Sequence, residues 1–136
     1  MPIYQLLGGK VRDKIKVYAN GWYSGERSPE NFAKKAKFLS SKGYQALKFD
    51  PFGSEHLRLN KESENFIKKI IRSVRDSVGP DVELMIEGHK RFNVFEAIKI
   101  AKWLDEFDVT WFEDPIDNND IDSLIYVSQN LSLIHI

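Results

Sequence analysis

Ionisable side chains that could act together fall in KFDPFG (48–53), EGHKRFN (87–93) and WFEDP (111–115). Each stretch closes an apolar run, leaving Lys48 and Asp50, then Glu87 and His89, then Glu113 beside Asp114 at the carboxyl ends. Alternate side chains of a strand share a face. Lys48 therefore lies with Asp50, Glu87 with His89 and Glu113 with Trp111, while Leu47, Phe49, Leu84, Ile86 and Phe112 take the other face. Inward carboxylates on successive strands repel unless something neutralises them. A hard divalent cation does so, and carboxylates from separate strands suit the octahedral oxygen shell of magnesium. EGHKRFN then reads as a metal ligand beside a proton-transfer histidine.

Composition limits the alternatives. Lys plus Arg (20) balance Asp plus Glu (20) in the 136 residues. No overall field therefore favours nucleic acid or an anionic membrane, and a small anionic substrate needs a metal or a few placed cations. Cysteine is absent, which removes disulfides and thiolate chemistry. The start MPIYQLLGGK lacks a basic segment followed by an apolar stretch, and no apolar run approaches bilayer length. A cytoplasmic protein is the expectation.

The elements that must position these groups alternate. Apolar runs rich in β-formers occupy 15–22 (IKVYANGW), 44–52, 82–88 and 109–115. Helical periodicity lies between them. Ser28-Pro29-Glu30 starts a helix with Phe32, Ala33, Ala36, Phe38 and Leu39 on one face, stopped at Gly43. Phe66, Ile67, Ile70, Ile71 and Val74 form the face of a second, which ends near Gly79-Pro80. A third runs from about Asn93 to Phe107, and a weaker fourth covers 120–129. Strand and helix alternating at roughly thirty residues per unit predict right-handed βαβ units and a parallel sheet. Four units suit an open doubly wound sheet or half of an eight-stranded barrel. No GxGxxG or GxxxxGK follows the first strand, so nucleotide-binding open sheets lose support. In a barrel, Lys48, Asp50, Glu87, His89 and Glu113 would sit inside, at the end where parallel barrels carry active sites.

Taken with YQLLGGKVRDKIKVYANGW (4–22), these motifs resemble the enolase superfamily, in its mandelate racemase and muconate lactonizing branch of galactonate- and mannonate-type acid-sugar dehydratases. The likeness covers nearly the whole chain. The interval from Glu87 to Glu113, 113 − 87 = 26 positions, matches ligands on adjacent strands joined by one helix. The resemblance implies the amino-terminal half of a TIM-type barrel in residues 15–130, preceded by the end of a capping domain and a junction in 1–14. The tail LSLIHI, 131–136, is suspected to be foreign. The chain then reads as an inactive piece of a magnesium-dependent dehydratase. Such an enzyme removes the proton α to a carboxylate, stabilises the enediolate with the metal and expels the β-hydroxyl as water. Its partner would be a small acid sugar, and the parent a homo-oligomer.

On that resemblance Glu87 and Glu113 are the first two metal ligands, with the third absent from this chain. His89 is the general acid on the departing hydroxyl. Lys48 and Asp50 fall where relatives carry a Lys-x-Lys base pair, so Lys48 is a catalytic candidate, while Asp50 in place of the second lysine argues against a base from that position. Asp50, Arg91 and Trp22 are candidate substrate contacts. Lys90 stands where relatives frequently have glycine. Simpler roles compete with each assignment. His89 could be a loop histidine bonded to a carboxylate, the two glutamates surface ion-pair residues, Lys48 a structural ion pair and Trp22 a packing residue. A racemase or epimerase of the same superfamily, or a non-catalytic half-barrel binding module, remain the other functional readings.

Overall fold

The structure, a computed structural model, describes residues 1–117 and 119–131, together with the backbone of 134–135. A parallel four-stranded sheet in the order β1-β2-β3-β4 organises it. The strands are β1 (Ala46–Phe49), β2 (Glu83–Glu87), β3 (Val109–Glu113) and β4 (Ile134–His135). Parallel neighbours need a crossover, and helices supply them. After the short α1 (Ile3–Leu6) come α2 (Pro29–Ser41) before β1 and α3 (Lys61–Val78) between β1 and β2. Next are α4 (Val94–Leu104), extended by a 3₁₀ turn over Asp105–Phe107, and α5 (Ile121–Gln129). Among the described residues, no helix is long and apolar enough to cross a membrane.

Each of the four longer helices starts where a short polar side chain caps a free backbone donor. Ser28 Oγ accepts from Asn31 N (3.3 Å), Asn60 Oδ1 from Ser63 N (2.8 Å), Asn93 Oδ1 from Glu96 N (3.0 Å) and Asp120 Oδ1 from Ser123 N (3.2 Å). The third predicted helix tightens at its end into the 3₁₀ turn, and Asp108, at φ 51°, reverses the chain into β3.

One face of the sheet is apolar and covered by the helices. Leu47, Phe49, Leu84, Ile86 and Phe112 are fully buried with Phe32 and Ala36 of α2, Ile67, Ile70, Ile71 and Val74 of α3, Ala97, Ile100 and Leu104 of α4, and Val127 of α5. Lys48, Met85, Glu87, Trp111 and Glu113 alternate with that set and lie on the opposite face. The expected faces are therefore the observed ones.

The predicted first strand forms only one parallel bridge, Ala19 to Leu47. Ala19 N donates to Ala46 O (2.9 Å), and Lys48 N donates to Ala19 O (2.8 Å). Its remaining β-formers have nothing to bury against: Ile15 is 81% exposed and Val17 63%. Burial of alternate side chains, more than β-propensity, is what holds a strand in place. At the far edge the backbone of Ile134 and His135 pairs with Trp111 and Phe112, so this part of the suspected tail continues the sheet.

The β2–β3 ladder contains an irregularity. Leu84 pairs with Val109, but Met85 pairs with Trp111, which leaves Thr110 without a partner. Val109 and Phe112, three positions apart, both reach the core (3% and 0% exposed), which strict alternation would forbid. The extra residue brings Glu87 opposite Glu113.

Candidate active site

The carboxyl ends of β1, β2 and β3 bring the predicted ionisable residues together in two adjoining clusters. In the first, Lys48 Nζ lies 2.9 Å from Glu87 Oε2 and 2.7 Å from Glu113 Oε1, and the two carboxyl groups are within hydrogen-bonding reach of each other. The side chains of Lys48 and Glu87 are less than a tenth exposed. Burial favours a neutral amine at Lys48, but hydrogen bonds to Glu113 and Glu87 outweigh it and raise its pKa. Burial likewise favours a protonated Glu87. The Lys48 ammonium and the His89 backbone N–H, which donates to Glu87 Oε1 at 3.0 Å, reverse that and lower its pKa. Lys48 is thus held as an ammonium and Glu87 as a carboxylate.

A divalent cation is not needed to reconcile these carboxylates, because Lys48 on β1 forms the structural ion pair that competes with its catalytic role, and forms it with both glutamates. Lys48 offsets one of the two negative charges. Glu87 and Glu113 still supply hard oxygen donors at one level on adjacent strands, which fits two ligands of a magnesium shell. Among the described residues no group of three or more His, Cys, Asp or Glu side chains could hold a metal. Asp50 does not join the pair.

Asp50 instead centres the second cluster. Its Oδ1 accepts from Phe52 N (2.8 Å), and its Oδ2 faces both His89 Nδ1 (2.9 Å) and the Arg91 guanidinium. Arg91 also donates from Nε to Gly88 O (3.1 Å) and from Nη1 to Gly53 O, tying the loop after β1 to the loop after β2. Asp50 and Arg91, candidates for substrate contact, thus spend their polar atoms on this internal network. Trp22 packs against Tyr23, Phe32 and Phe49, with ring centroids 5.3–5.9 Å away, so its packing role is the one the geometry favours.

Backbone conformation aims the second cluster. His89 (φ 50°) and Lys90 (φ 58°) are consecutive left-handed residues, and Asp114 (φ 43°) is a third. Such conformations cost about 1–3 kcal/mol each and persist only where surroundings enforce them. Here the enforcement is a set of inter-strand bonds: Gly88 N to Glu113 O (2.8 Å), Lys90 N to Asp114 O (2.7 Å) and Phe92 N to Pro115 O (3.2 Å). A glycine at position 90 would take its φ freely; Lys90 takes it under those bonds. Gly88 has a different constraint. A β-carbon there would stand 2.7 Å from Asp114 O and 3.0 Å from Pro115 Cα.

Sequence reading missed three contributors. Gly88 is needed for that close approach, and nothing in an isolated EGH triplet signals it. Arg27 donates twice to Pro51 O (3.0 and 2.6 Å), fixing the loop that carries Asp50, although it lies in a segment without periodicity. Tyr18 meets Trp111 edge to face at 5.6 Å and lies 5.7 Å from Lys48 Nζ, forming an aromatic floor below the first cluster.

Residues 31–135 match the model of the enolase C-terminal domain-like family. The chain belongs to this family. Curated relatives include a D-gluconate dehydratase of Thermoproteus tenax, 47% identical over 89% of the chain and 24% of that protein. Another is a D-gluconate/D-galactonate dehydratase of Picrophilus torridus, 40% identical over 85% of the chain and 29% of that protein. Among solved structures, a member of the enolase superfamily from Salmonella Typhimurium superposes with TM-score 0.90 at 25% identity, covering 98% of the chain and 39% of its own. A mandelate racemase/muconate lactonizing enzyme from Jannaschia sp. CCS1 does so with TM-score 0.89 at 28% identity, over 98% and 38%. This enolase-family chain thus spans about a quarter to two fifths of the lengths of these relatives.

Proposed function

We propose that this chain supplies part of the active site of a longer, magnesium-dependent acid-sugar dehydratase, with residues 15–130 as the first βα units of a TIM-type barrel. Residues 1–14 are the junction to a capping domain. The observation that carries this reading is the register-paired meeting of Glu87 and Glu113 on Lys48 Nζ, with His89 beside them. The relatives support an acid-sugar substrate: one is a D-gluconate dehydratase and another a D-gluconate/D-galactonate dehydratase.

Glu87 and Glu113 would hold magnesium together with a ligand from outside this chain, and the ion would supply positive charge to the oxygens of a substrate carboxylate as its α-proton leaves. Lys48 bridges the two glutamates and helps keep Glu87 ionised. His89, with a side chain more than half exposed, can reach a β-hydroxyl and hand it a proton as the carbon–oxygen bond breaks. The base that takes the α-proton lies outside the described residues.

The test is turnover of D-gluconate and D-galactonate by the full-length protein against magnesium concentration, with and without Glu113→Gln. The wild type should show metal-dependent dehydration. The substitution should abolish it and weaken magnesium binding measured by calorimetry; unchanged turnover and binding would remove the metal-site reading.

A further inference from the structure

We infer that Asp50, clamped by Arg91, is a positioning residue that fixes which nitrogen of His89 gives up its proton, so that neither residue is a substrate contact. The inference rests on the proposed dehydratase reading and deepens it.

Asp50 has no unengaged oxygen. Oδ1 is taken by the Phe52 backbone N–H, and Oδ2 by His89 Nδ1 and by Arg91. Only 11% of its side chain is exposed. Arg91 Nη2 also lies 2.9 Å from His89 Nδ1. A guanidinium only donates, so that approach would be a hydrogen bond only if Nδ1 carried no proton. Two tautomers therefore compete. The bond from Nδ1–H to an ionised carboxylate is charge-assisted and roughly twice as strong as a neutral one. Oδ2 has lone pairs for both donors, so when Nδ1–H donates there Arg91 gives up its approach to Nδ1 and keeps its own bond to Asp50. The network selects Nδ1–H.

The selection matters for proton transfer. A histidine that protonates a departing hydroxyl starts as imidazolium and ends neutral. With Nδ1–H bound to Asp50, the proton that leaves is the one on Nε2. The β-carbon–oxygen bond breaks, its electron pair stays with the oxygen, and Nε2 delivers the proton that completes the water. The ring is left in the tautomer Asp50 already holds. The His89 backbone is fixed as well, by its left-handed φ and by its bond to Glu87 Oε1. Arg91 anchors Asp50 from across the groove and also binds Gly53 O and Gly88 O, so the carboxylate cannot swing toward a substrate.

The experiment compares the favoured sugar acid with its analogue bearing fluorine in place of the β-hydroxyl, in the full-length enzyme. Fluoride leaves as an anion and needs no proton, so a defect confined to proton delivery disappears with it. Asp50→Asn, whose amide can offer Nδ1 a donor and so favour the wrong tautomer, should lower kcat on the hydroxyl substrate by about 10²-fold with little change in KM. Fluoride release should stay within about threefold of wild type, this margin being set against the 10²–10⁴-fold worth of a general acid. Equal loss on both substrates, a loss carried by KM, or no loss would overturn the assignment. His89→Asn run alongside separates the two layers: if it leaves dehydration intact, the acid reading itself fails. Should Asp50→Asn not fold, Arg91→Lys, which loosens the clamp but leaves the carboxylate, carries the same comparison with the same two outcomes.

Discussion

Replacing Gly88 by alanine tests how closely the chain ends of β2 and β3 must approach for the site to exist. The added carbon would stand 2.7 Å from Asp114 O, 3.0 Å from Pro115 Cα and 3.1 Å from Glu113 O. All three are backbone atoms, so no flexible side chain can yield. Ordinary contact begins near 3.4 Å, and relief of the tightest contact requires 3.4 − 2.7 = 0.7 Å of separation. That movement acts on the hydrogen bonds from Gly88 N to Glu113 O and from Lys90 N to Asp114 O. It also acts on the two carboxylates one residue away. Overpacking of this kind costs about 1–3 kcal/mol, and a shift approaching 1 Å in a reacting group costs up to about 10²-fold in rate. Gly88→Ala should therefore lower the urea midpoint of the full-length protein and reduce kcat at least about tenfold. Gly79→Ala is the control. Gly79 has φ 78° and ψ −179°, a region kept almost wholly by glycine, with open space around its Cα, so the change should cost about 1–3 kcal/mol of stability and leave kcat alone. Wild-type turnover in Gly88→Ala, or equal loss in both variants, would refute the argument.

Two further outcomes follow from buried ionic groups away from the site. Arg75 donates to Phe107 O (3.0 Å), Gly79 O (2.9 Å), Val82 O (2.7 Å) and Asp108 O (2.8 Å), joining the end of α3 to the starts of β2 and β3. Arg75→Lys keeps the charge but cannot reproduce the fork, and should lower stability by about 2–3 kcal/mol in urea unfolding. Glu64 binds Lys99 at 2.7 Å and Lys68 at 3.1 Å. The Lys99 bond, aided by Lys68 and opposed by burial, holds its pKa below the ordinary glutamate value of 4.5. A folded pKa below the unfolded one stabilises above the unfolded value, and that contribution is lost as pH falls through the folded pKa. Glu64→Gln should therefore be less stable than wild type at pH 6, with the two stability curves converging as pH drops below 4.5.

The alternation of Leu47, Lys48, Phe49 and of Leu84, Met85, Ile86, Glu87 was enough to assign the two faces of the sheet, because burial on one side enforces a period of two. The helix starts at Ser28, Asn93 and Asp120 were legible for a similar reason, a side-chain oxygen before an apolar period having few other uses, whereas the Asn60 cap was seen only in the structure. Lys48 as the bridge between Glu87 and Glu113 was not legible. Sequence order gives faces but not the reach of a long side chain across two strands. Asp50 shares an apparent face with Lys48, yet it lies past the end of β1, where alternation no longer applies and Phe52 N and Arg91 decide its direction. The first run, IKVYANGW, has the composition of a strand and lacks a neighbour against which to bury it.

The unpaired Thr110 sets a condition that hydropathy cannot display. Paired regularly, with Thr110 opposite Met85 and Trp111 opposite Ile86, the same chain would have the same composition and the same apolar profile. Its indole and carboxylate would turn into the oily layer beneath the helices, and the phenyl ring of Phe112 would turn into the mouth. The place of the extra residue therefore governs chemistry more sharply than most substitutions do, and a graft that runs the ladder regularly through Thr110 would set Glu87 opposite Phe112 and part the two carboxylates.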